Sequence, residues 1–288
     1  MASEDHDSAH LPNDVRQYYD RNTSRFERYG QGGAFVHRAV WGPGVSTSQE
    51  AFSYIESLIL SELTRFQAAP TVLDLGCGLG ASLIYLADRA PIVGEGITIS
   101  PVQAARAARL VEEAGLAKRV RCRVGNYLAL PDDLHDVDLA FSIEAFIHSP
   151  NAQDYFGQAA HVLRPAGRLV ICDDFLASTS LHEIPARAGR WLDEFRRGWH
   201  AGSLISAEQA RELGGRVGLK LVGDTDLTPY LRLDHLHDRL LRFAVNFARL
   251  ARILGRGKYW DAIVGGTALQ HALKARVLTY RVLTFDRH

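Results

Sequence analysis

The stretch VLDLGCGLG (72–80) combines one acidic residue with three glycines spaced GxGxG. Asp74 lies two residues before Gly76, and Gly78 and Gly80 complete the pattern. Glycines let a backbone pass close beneath a bulky ligand, and the helix after such a turn binds a pyrophosphate in dinucleotide folds. A ligand with an amino-acid tail would instead require an acceptor near its ammonium, which Asp74 could supply directly or through water. The alternative is a tight turn that binds no ligand.

A carboxylate and an imidazole lie four residues apart in FSIEAFIHSPNAQDYF (141–156), at Glu144 and His148. Both groups can accept a proton from a reacting molecule. Two structural interpretations stay open: Glu144 as a buried capping or ion-paired carboxylate, and His148 as a residue that only orients a turn.

Asp74, Glu144 and His148 fall at or just after the ends of apolar, strand-like runs. From Pro70 onward these runs alternate with amphipathic helical runs. The alternation predicts a parallel sheet covered by helices on both faces. The fold class is therefore α/β, a Rossmann-like seven-stranded doubly wound sheet with a mainly helical lid. The predicted strands are TVLDLG, IVGEGITIS, VRCRVGNYLAL, VDLAFSIEAF, RLVICDDF, LKLVGDT and a returning RVLTYRVLTFD, and DYFGQAAHVLRPAG (154–167) is among the predicted helices.

Residues 1–66 are predicted to form an N-terminal helical cap, and residues 67–288 the core. Two insertions, at about 176–205 and 225–274, follow strands at the carboxyl edge of the sheet, where doubly wound folds bind ligands. We expect these insertions and the N-terminal helices to form the lid.

The composition excludes several classes of protein. Lys plus Arg and Asp plus Glu both number 33, so the net charge of zero argues against a nucleic-acid partner. No run approaches the roughly 20 apolar residues of a membrane span, and the polar N-terminus predicts no signal or transit peptide. The three cysteines lack CxxC spacing and lie in or beside apolar runs, which predicts reduced thiols in a cytoplasmic enzyme. The Arg-rich, Lys-poor composition suggests a GC-rich bacterial genome.

The motif VLDLGCGLG resembles the first motif of class I S-adenosylmethionine-dependent methyltransferases. The run GITISPVQAARA (96–107) resembles the branch that contains tocopherol, sterol, cyclopropane-fatty-acid and prenyl C-methyltransferases. The resemblance implies S-adenosylmethionine as the cofactor. It also implies that Thr98 and Gln103 make the ribose contacts that an Asp or Glu makes in most relatives.

Other cofactor contacts are implied by the same resemblance. Asn126 and Tyr127 follow strand three where relatives often have Gly-Asp, so Asn126 would contact the adenine amine and Tyr127 would pack on the ring. A turn residue is the alternative for Asn126. Ser142 would lie near the transferable methyl group, and Tyr19, or its neighbour Tyr18, near the cofactor carboxylate.

The run SIEAFIH (142–148) resembles the SIEAxxH pattern of sterol, tocopherol and isoprenoid methyltransferases. When an alkene is methylated, its π bond attacks the methyl group, a carbocation forms and a proton leaves. Glu144 is suited to stabilise the cation and accept that proton. Aromatic rings would add about 0.5–2 kcal/mol each; the candidates are Trp41, Phe146, Trp191, Trp199 and Tyr230.

Residues 18–45 and 191–206 resemble isoprenoid C-methyltransferases of bacterial secondary metabolism. The first stretch would place His37 and Trp41 near the methionine end of the cofactor. The second supplies Arg196, Arg197 and His200 between tryptophans, which suits an apolar tail and an anionic head such as a prenyl diphosphate. The alternative is a lid helix with solvated arginines and buried tryptophans.

Asp173 and Asp174 could hold Mg²⁺ for a diphosphate substrate. Strand-end residues that face the cofactor pocket are the preferred interpretation, so no metal site is assigned.

The sequence therefore predicts an S-adenosylmethionine-dependent C-methyltransferase of terpenoid secondary metabolism. It would methylate an isoprenoid double bond, in a prenyl diphosphate or a prenylated natural product. The alternative is an O- or N-methyltransferase of a small secondary metabolite, in which His148 removes a proton from the acceptor. Whether the chain forms a homo-oligomer stays open.

Overall fold

The computed structural model of this 288-residue chain describes residues 16, 20, 35, 37–66, 69–178, 186–233 and 258–288. Tyr18 and Tyr19, predicted near the cofactor carboxylate, lie outside the described residues.

A seven-stranded sheet forms the centre of the molecule, in the order β3-β2-β1-β4-β5-β7-β6. The pairs from β3 through β5 are parallel, whereas β7 runs antiparallel between β5 and β6. This arrangement confirms the predicted α/β class and the returning last strand. The strands are β1 (Thr71–Leu75), β2 (Val93–Thr98), β3 (Val120–Val124), β4 (Val137–Ile143), β5 (Leu163–Leu176), β6 (Leu219–Asp226) and β7 (Leu278–Arg287).

Helices cover both faces of the sheet, and each face has its own apolar core. Several helices begin at side-chain caps: Ser100, Asn151 and Ser206 each accept a hydrogen bond from a backbone N–H of the first turn. The described α-helices are α1 (Ser48–Phe52), α2 (Tyr54–Leu63), α3 (Ala81–Arg89), α4 (Pro101–Glu113), α5 (Ala152–Val162), α6 (Ala186–Trp199), α7 (Ala207–Arg216) and α8 (Lys258–Lys274), with 3₁₀ turns at Phe146–His148 and Thr228–Tyr230.

The predicted third strand (120–130) ends early, at Val124, and one predicted helix is too long. The helix expected over 154–167 ends at Val162, and β5 begins at Leu163. Pro165 lacks an N–H and pushes the preceding residue toward extended backbone, so the helix cannot continue. Gly167 then passes close to β4, where a Cβ would lie 2.8 Å from the carbonyl oxygen of Arg164 and 3.0 Å from that of Val137.

Each predicted insertion contributes one described helix, and the two helices pack against each other. Trp199 on α6 donates a hydrogen bond from Nε1 to the carbonyl oxygen of Ala262 on α8, at 3.1 Å. A Cβ at Gly265 would lie only 2.7 Å from Cδ1 of Trp199, so the backbones approach closely at this point. In the part of the chain that the structure describes, no helix has the length and apolar character that crossing a membrane would require.

Candidate active site

A cavity of about 260 Å³ opens at the carboxyl ends of the parallel strands. The glycine turn after β1, the end of β2, the turn after β3 and residues 143–148 after β4 form its floor. Phe195 and Trp199 of α6 and Leu269 of α8 border it from the insertions. The site therefore lies where the topology of a doubly wound sheet predicts it.

The glycine turn is built from left-handed backbone. Gly76 has φ +108°, and a Cβ there would lie 2.4 Å from the Cβ of Ala145. Gly78 has φ +51° and lines the cavity. Gly80 was predicted to contact the cofactor, but it does not line the cavity. A Cβ at Gly80 would lie 2.9 Å from Sγ of Cys122, so this glycine allows the turn to pack on β3.

Two buried carboxylates and a histidine lie at one end of the cavity, beside the glycine turn. Glu56 on α2 accepts hydrogen bonds at Oε1 from His37 Nε2, at 2.8 Å, and from Ser82 Oγ, at 2.7 Å. Its Oε2 is buried and has no hydrogen-bond partner among the described residues. The carboxylate of Asp74 lines the cavity, is 4 % exposed and also lacks a hydrogen bond from the described part of the chain.

The charges at this end favour a cationic ligand. Burial lowers the pKa of His37, but the charge and hydrogen bond of Glu56 outweigh burial and raise that pKa to about 9. Burial and the nearby Glu56 charge hold the pKa of Asp74 well above its usual range. An ammonium group bound beside Asp74 would relieve this cost, so these residues fit the amino-acid tail of S-adenosylmethionine.

Thr98 and Gln103 lie at the end of β2 and the start of α4, and both line the cavity. The Thr98 hydroxyl donates to Oε1 of Gln103 at 2.8 Å. Ser100 Oγ accepts from the backbone N–H of Gln103 at 3.1 Å and contacts the Asp20 carboxylate. The amide nitrogen of Gln103 is then oriented over Gly78, 3.8 Å from where a Cβ would stand.

Asn126 and Tyr127 also line the cavity, at the turn after β3. Asn126 Oδ1 accepts a hydrogen bond from the backbone N–H of Leu128 at 2.9 Å, which is the geometry of an Asx turn. The alternative role of Asn126 as a turn residue is therefore confirmed, and its adenine contact stays a prediction. Tyr127 donates its hydroxyl to the carbonyl oxygen of Ala145 at 3.0 Å.

Glu144 follows β4 with left-handed backbone at φ +50°, and its N–H donates to the carbonyl oxygen of Cys172 at 2.8 Å. Three donors converge on its Oε1: the backbone N–H of Arg38 at 3.0 Å, Nε of Arg38 at 2.9 Å and the hydroxyl of Tyr280 at 2.8 Å. Oε2 receives no hydrogen bond from a described residue. Among the described residues, the carboxylate is therefore held through one oxygen.

Arg38 links this carboxylate to a second one. Its Nη1 and Nη2 donate to Oδ1 and Oδ2 of Asp174, at 3.0 and 2.8 Å, and its Cζ lies 4.0 Å from the centroid of the Tyr280 ring. Asp173 accepts from the backbone N–H of Ile147 at 3.0 Å and of Asp174 at 2.8 Å. Asp173 therefore holds the turn at residues 146–148, and Asp174 holds the side chain of Arg38. Among the described residues, no group of three or more His, Cys, Asp or Glu side chains is arranged to hold a metal ion.

Glu144 is set up as an anion. Burial raises the pKa of this carboxyl, but the charges of Arg38 and His37 and the hydrogen bonds from Arg38 outweigh burial and lower the pKa below its usual value. The carboxylate is therefore ionised at neutral pH, as a proton acceptor or a group that stabilises a cation must be.

His148 lines the cavity in its neutral form. Burial lowers the pKa of His148 to about 4, although hydrogen bonds to the backbone of His200 and Trp199 act in the opposite direction. An imidazole with this pKa is a weak base at neutral pH.

The predicted aromatic residues divide into three groups. Trp199 lines the cavity, and Trp41 lines a second cavity beside it. Phe146 is fully buried and packs on Tyr155, with ring centroids 4.9 Å apart, so it belongs to the core. Trp191 stacks on His271 of α8 at 5.2 Å and lines neither cavity. Phe146 and Trp191 therefore line neither cavity, and their contact with the acceptor stays a prediction.

Four further predicted residues are also absent from the cavity wall. Ser142 is buried, and its hydroxyl shares a hydrogen bond with that of Tyr155 at 2.7 Å. Tyr230 accepts a hydrogen bond at its carbonyl oxygen from the N–H of Trp41, and its ring packs on the core.

Arg197 is exposed on α6, as the solvated-arginine alternative predicts, and His200 contacts His148 through its backbone.

Three site residues were not predicted: Arg38, Glu56 and Tyr280. Glu56 is a carboxylate beside Ile55 and three residues before Ile59, on the buried face of α2, and an acid on an apolar face is an available signal. Arg38 lies between two residues that were predicted, His37 and Trp41. Tyr280 lies in an apolar strand, and nothing in the sequence around it indicates a functional residue.

The sheet order, with its antiparallel seventh strand, is that of the class I S-adenosylmethionine-dependent methyltransferases. Residues 72–167 match the family described as a methyltransferase domain. The chain therefore carries a methyltransferase domain with the class I fold, and the predicted resemblance is confirmed.

Its curated relatives include several C-methyltransferases. Squalene methyltransferase 2 of Botryococcus braunii is 30% identical over 210 residues, which cover 73% of this chain and 54% of that protein. A probable chloroplastic tocopherol O-methyltransferase of Oryza sativa subsp. japonica is 30% identical over 169 residues, covering 56% of this chain and 46% of that protein. The chain spans about half the length of these relatives.

Solved structures extend the similarity of fold to the whole chain. A cyclopropane synthase from Mycobacterium tuberculosis has a TM-score of 0.76 at 20% identity, covering 96% of this chain and 98% of that one. A geranyl diphosphate C-methyltransferase from Streptomyces coelicolor A3(2) has a TM-score of 0.68 at 20% identity, with the same coverage. At these identities the likeness concerns the fold alone.

Proposed function

We propose that the protein is an S-adenosylmethionine-dependent C-methyltransferase that methylates an isoprenoid double bond. The observation that carries this proposal is the carboxylate of Glu144. It is ionised, it is held through Oε1 by Arg38 and Tyr280, and it lines the cavity at the end of β4. C-methyltransferases of squalene, botryococcene and sterols among the relatives support this reaction class.

The residues around the glycine turn fit the cofactor. Asp74 would hold the ammonium beside Glu56, and Thr98 and Gln103 would hold the ribose. Asn126 and Tyr127 would contact the adenine, and we keep Tyr19 as a predicted contact of the cofactor carboxylate. When bound, S-adenosylmethionine would supply an electrophilic methyl group and, as the S–CH₃ bond breaks, would leave as the neutral thioether S-adenosylhomocysteine.

The role of Glu144 follows from the charge that the reaction creates. When an alkene carbon takes up a methyl group, the neighbouring carbon becomes a cation, and a proton must leave to restore a double bond. The fixed carboxylate stabilises that cation and accepts the proton at Oε2. His37 and Arg38 keep Glu144 ionised before the reaction. The face of the Trp199 ring offers further stabilisation.

The acceptor is either a prenyl diphosphate or a prenylated natural product. Among the described residues that line the cavity, the two cationic side chains are His37 and Arg38, and both are paired with carboxylates. This pairing favours an acceptor whose reacting end is uncharged. A free diphosphate would require a cation from elsewhere, such as Mg²⁺.

O- or N-methylation of a small metabolite is the second candidate. His148 lines the cavity as a neutral imidazole, and the relatives include a probable tocopherol O-methyltransferase and a 27-O-demethylrifamycin SV methyltransferase. A pKa of about 4 makes His148 a weak base toward a hydroxyl or amine, whereas the proton next to a carbocation is acidic enough for a weakly basic carboxylate such as Glu144 to accept, so C-methylation is the better supported reaction.

The test uses the purified protein with methyl-labelled S-adenosylmethionine and two acceptor panels. One panel holds isopentenyl, dimethylallyl, geranyl and farnesyl diphosphates, with and without Mg²⁺, and the other holds the corresponding alcohols and prenylated phenols. We expect label on carbon in at least one prenylated acceptor, with a mass gain of one CH₂ group. Label found only on oxygen or nitrogen would support the second candidate instead.

A further inference from the structure

A second cavity, of about 490 Å³, adjoins the first on the side of the insertions. The two cavities share three lining residues: Arg38, Trp199 and Leu269. We propose that the second cavity binds the apolar hydrocarbon tail of the acceptor and that the absence of a side chain at Gly266 leaves room for a long tail. This inference rests on the proposed function, because it places the reacting double bond beside Glu144.

The walls of the second cavity are suited to hydrocarbon. They consist largely of apolar and aromatic side chains: Trp41, Phe52, Leu231, Leu233, Ile263 and Leu273. The polar Thr267 in this wall already donates its hydroxyl to the carbonyl oxygen of Ile263 at 3.0 Å. Arg232 places its Cζ 3.1 Å from the centroid of the Trp41 ring and is exposed. Hydrocarbon that displaces water from such walls binds favourably, because apolar surface is removed from water on both sides of the contact.

The shared residues show that the two cavities lie side by side. Arg38 binds Glu144 and Asp174 on the side of the first cavity, and its remaining surface lines the second. Trp199 is fixed by its hydrogen bond to Ala262 and lines both. In the proposed binding mode, a double bond near Glu144 has its tail directed past Arg38 and Trp199 toward α8.

Gly266 of α8 is the position where this space can be changed by one side chain. A Cβ at Gly266 would lie 3.6 Å from Nε1 and 3.9 Å from Cζ2 of Trp199, which is ordinary van der Waals contact. A methyl group fits there, and a longer side chain would extend into the cavity. The preceding Gly265 differs, because a Cβ there would lie 2.7 Å from Trp199 and 3.0 Å from the Cα of Gly198.

The test measures binding rather than turnover. Tryptophan fluorescence is titrated with dimethylallyl alcohol, geraniol and farnesol in the presence of saturating S-adenosylhomocysteine, since Trp41 and Trp199 line the second cavity. We expect Gly266→Leu to weaken farnesol binding at least tenfold and dimethylallyl alcohol binding less than twofold. Gly266→Ala should give an intermediate loss for farnesol.

Two further variants keep the test decisive. Ile263→Ala enlarges the same wall and should strengthen binding of the longest alcohol relative to the shortest. Gly215→Leu is the matched control, because Gly215 is an exposed helical glycine whose Cβ would meet no atom within 4 Å.

The proposal would be overturned by equal losses for all three alcohols in Gly266→Leu. Unchanged binding in both Gly266→Leu and Ile263→Ala would also overturn it. So would wild-type protein that binds none of the alcohols. Tail-length-dependent binding without methyl transfer to any acceptor would leave this inference standing and refute the proposed function.

Discussion

The behaviour of single residues at this site depends on partners that are distant in the sequence. Glu144 contacts Arg38, 106 residues earlier, and Tyr280, 136 residues later. Asp74 and Glu144 could be predicted as cavity residues because each lies at or just after a strand end, whereas Thr98 and Gln103 were predicted from the family resemblance. Arg38 and Tyr280 could not, since only the tertiary fold brings them to the carboxylate.

Thr98→Val should weaken S-adenosylmethionine binding about fivefold. The change keeps the shape of the side chain but removes the hydroxyl that orients Gln103, and one hydrogen bond contributes about 1 kcal/mol. Calorimetric titration with the cofactor checks this, with Thr225→Val on the exposed face of β6 as the control. Affinity unchanged by Thr98→Val would remove Thr98 from the cofactor site.

Protonation of His37 should stabilise the folded protein at pH values below the folded pKa of this residue. The folded pKa of about 9 lies above the unfolded value of 6.5, so this contribution is complete below pH 6.5 and is lost as the pH rises through 9. The shift corresponds to roughly 3 kcal/mol. Urea unfolding of wild type and His37→Gln from pH 6 to 10 measures it; parallel curves for the two proteins would contradict the His37–Glu56 pair.

Protonation of His148 should instead destabilise the folded protein at low pH. Its folded pKa of about 4 lies below the unfolded value of 6.5, so the stability contributed by the neutral ring is present above pH 6.5 and is lost as the pH falls through 4. Replacing the buried ring by His148→Leu should flatten the acid limb of the stability curve between pH 6.5 and 4. An acid limb of the same steepness in both proteins would show that His148 titrates normally in the folded state.

At the scale of elements, strand runs and turn residues predicted most of the sheet, because buried parallel strands are continuous apolar segments. The error at the start of β5 arose where an amphipathic helix meets a proline. Here the restriction on backbone near Pro165 prevails over the helical pattern that precedes it.

The β1-turn-α3 element provides a test of why Gly76 is needed. Gly76→Ala should cost roughly 2–4 kcal/mol, because left-handed backbone costs about 1–2 kcal/mol and the added Cβ overlaps Ala145. Gly115→Ala is the matched control: it has φ +70° and no atom within 4 Å of a Cβ, so it carries the backbone cost alone. Equal losses of unfolding free energy in the two variants would show that close packing on Ala145 contributes nothing.

At the scale of the whole molecule, the site is assembled from all parts of the described chain. The sheet supplies Asp74, Thr98 and Glu144, the N-terminal segment supplies Arg38, and the last strand supplies Tyr280. The insertions were predicted as a helical lid from their position. Their pairing through Trp199 and α8, and the second cavity that this pairing encloses, could not be read from sequence periodicity.

We propose Glu144 as the proton acceptor in methylation of a double bond. Glu144→Gln keeps the shape of the side chain but removes its charge. It should lower the rate of methyl transfer to a prenylated acceptor about 10²- to 10⁴-fold. S-adenosylmethionine affinity should stay within about threefold of wild type, as measured by calorimetry.

The comparison is made beside Glu208→Gln, an exposed glutamate paired with Arg211 on α7, which should behave as wild type. A single-turnover assay with labelled cofactor gives the result directly. Loss of transfer with the cofactor still bound is the outcome predicted here. Alkene methylation at the wild-type rate in Glu144→Gln would contradict the account.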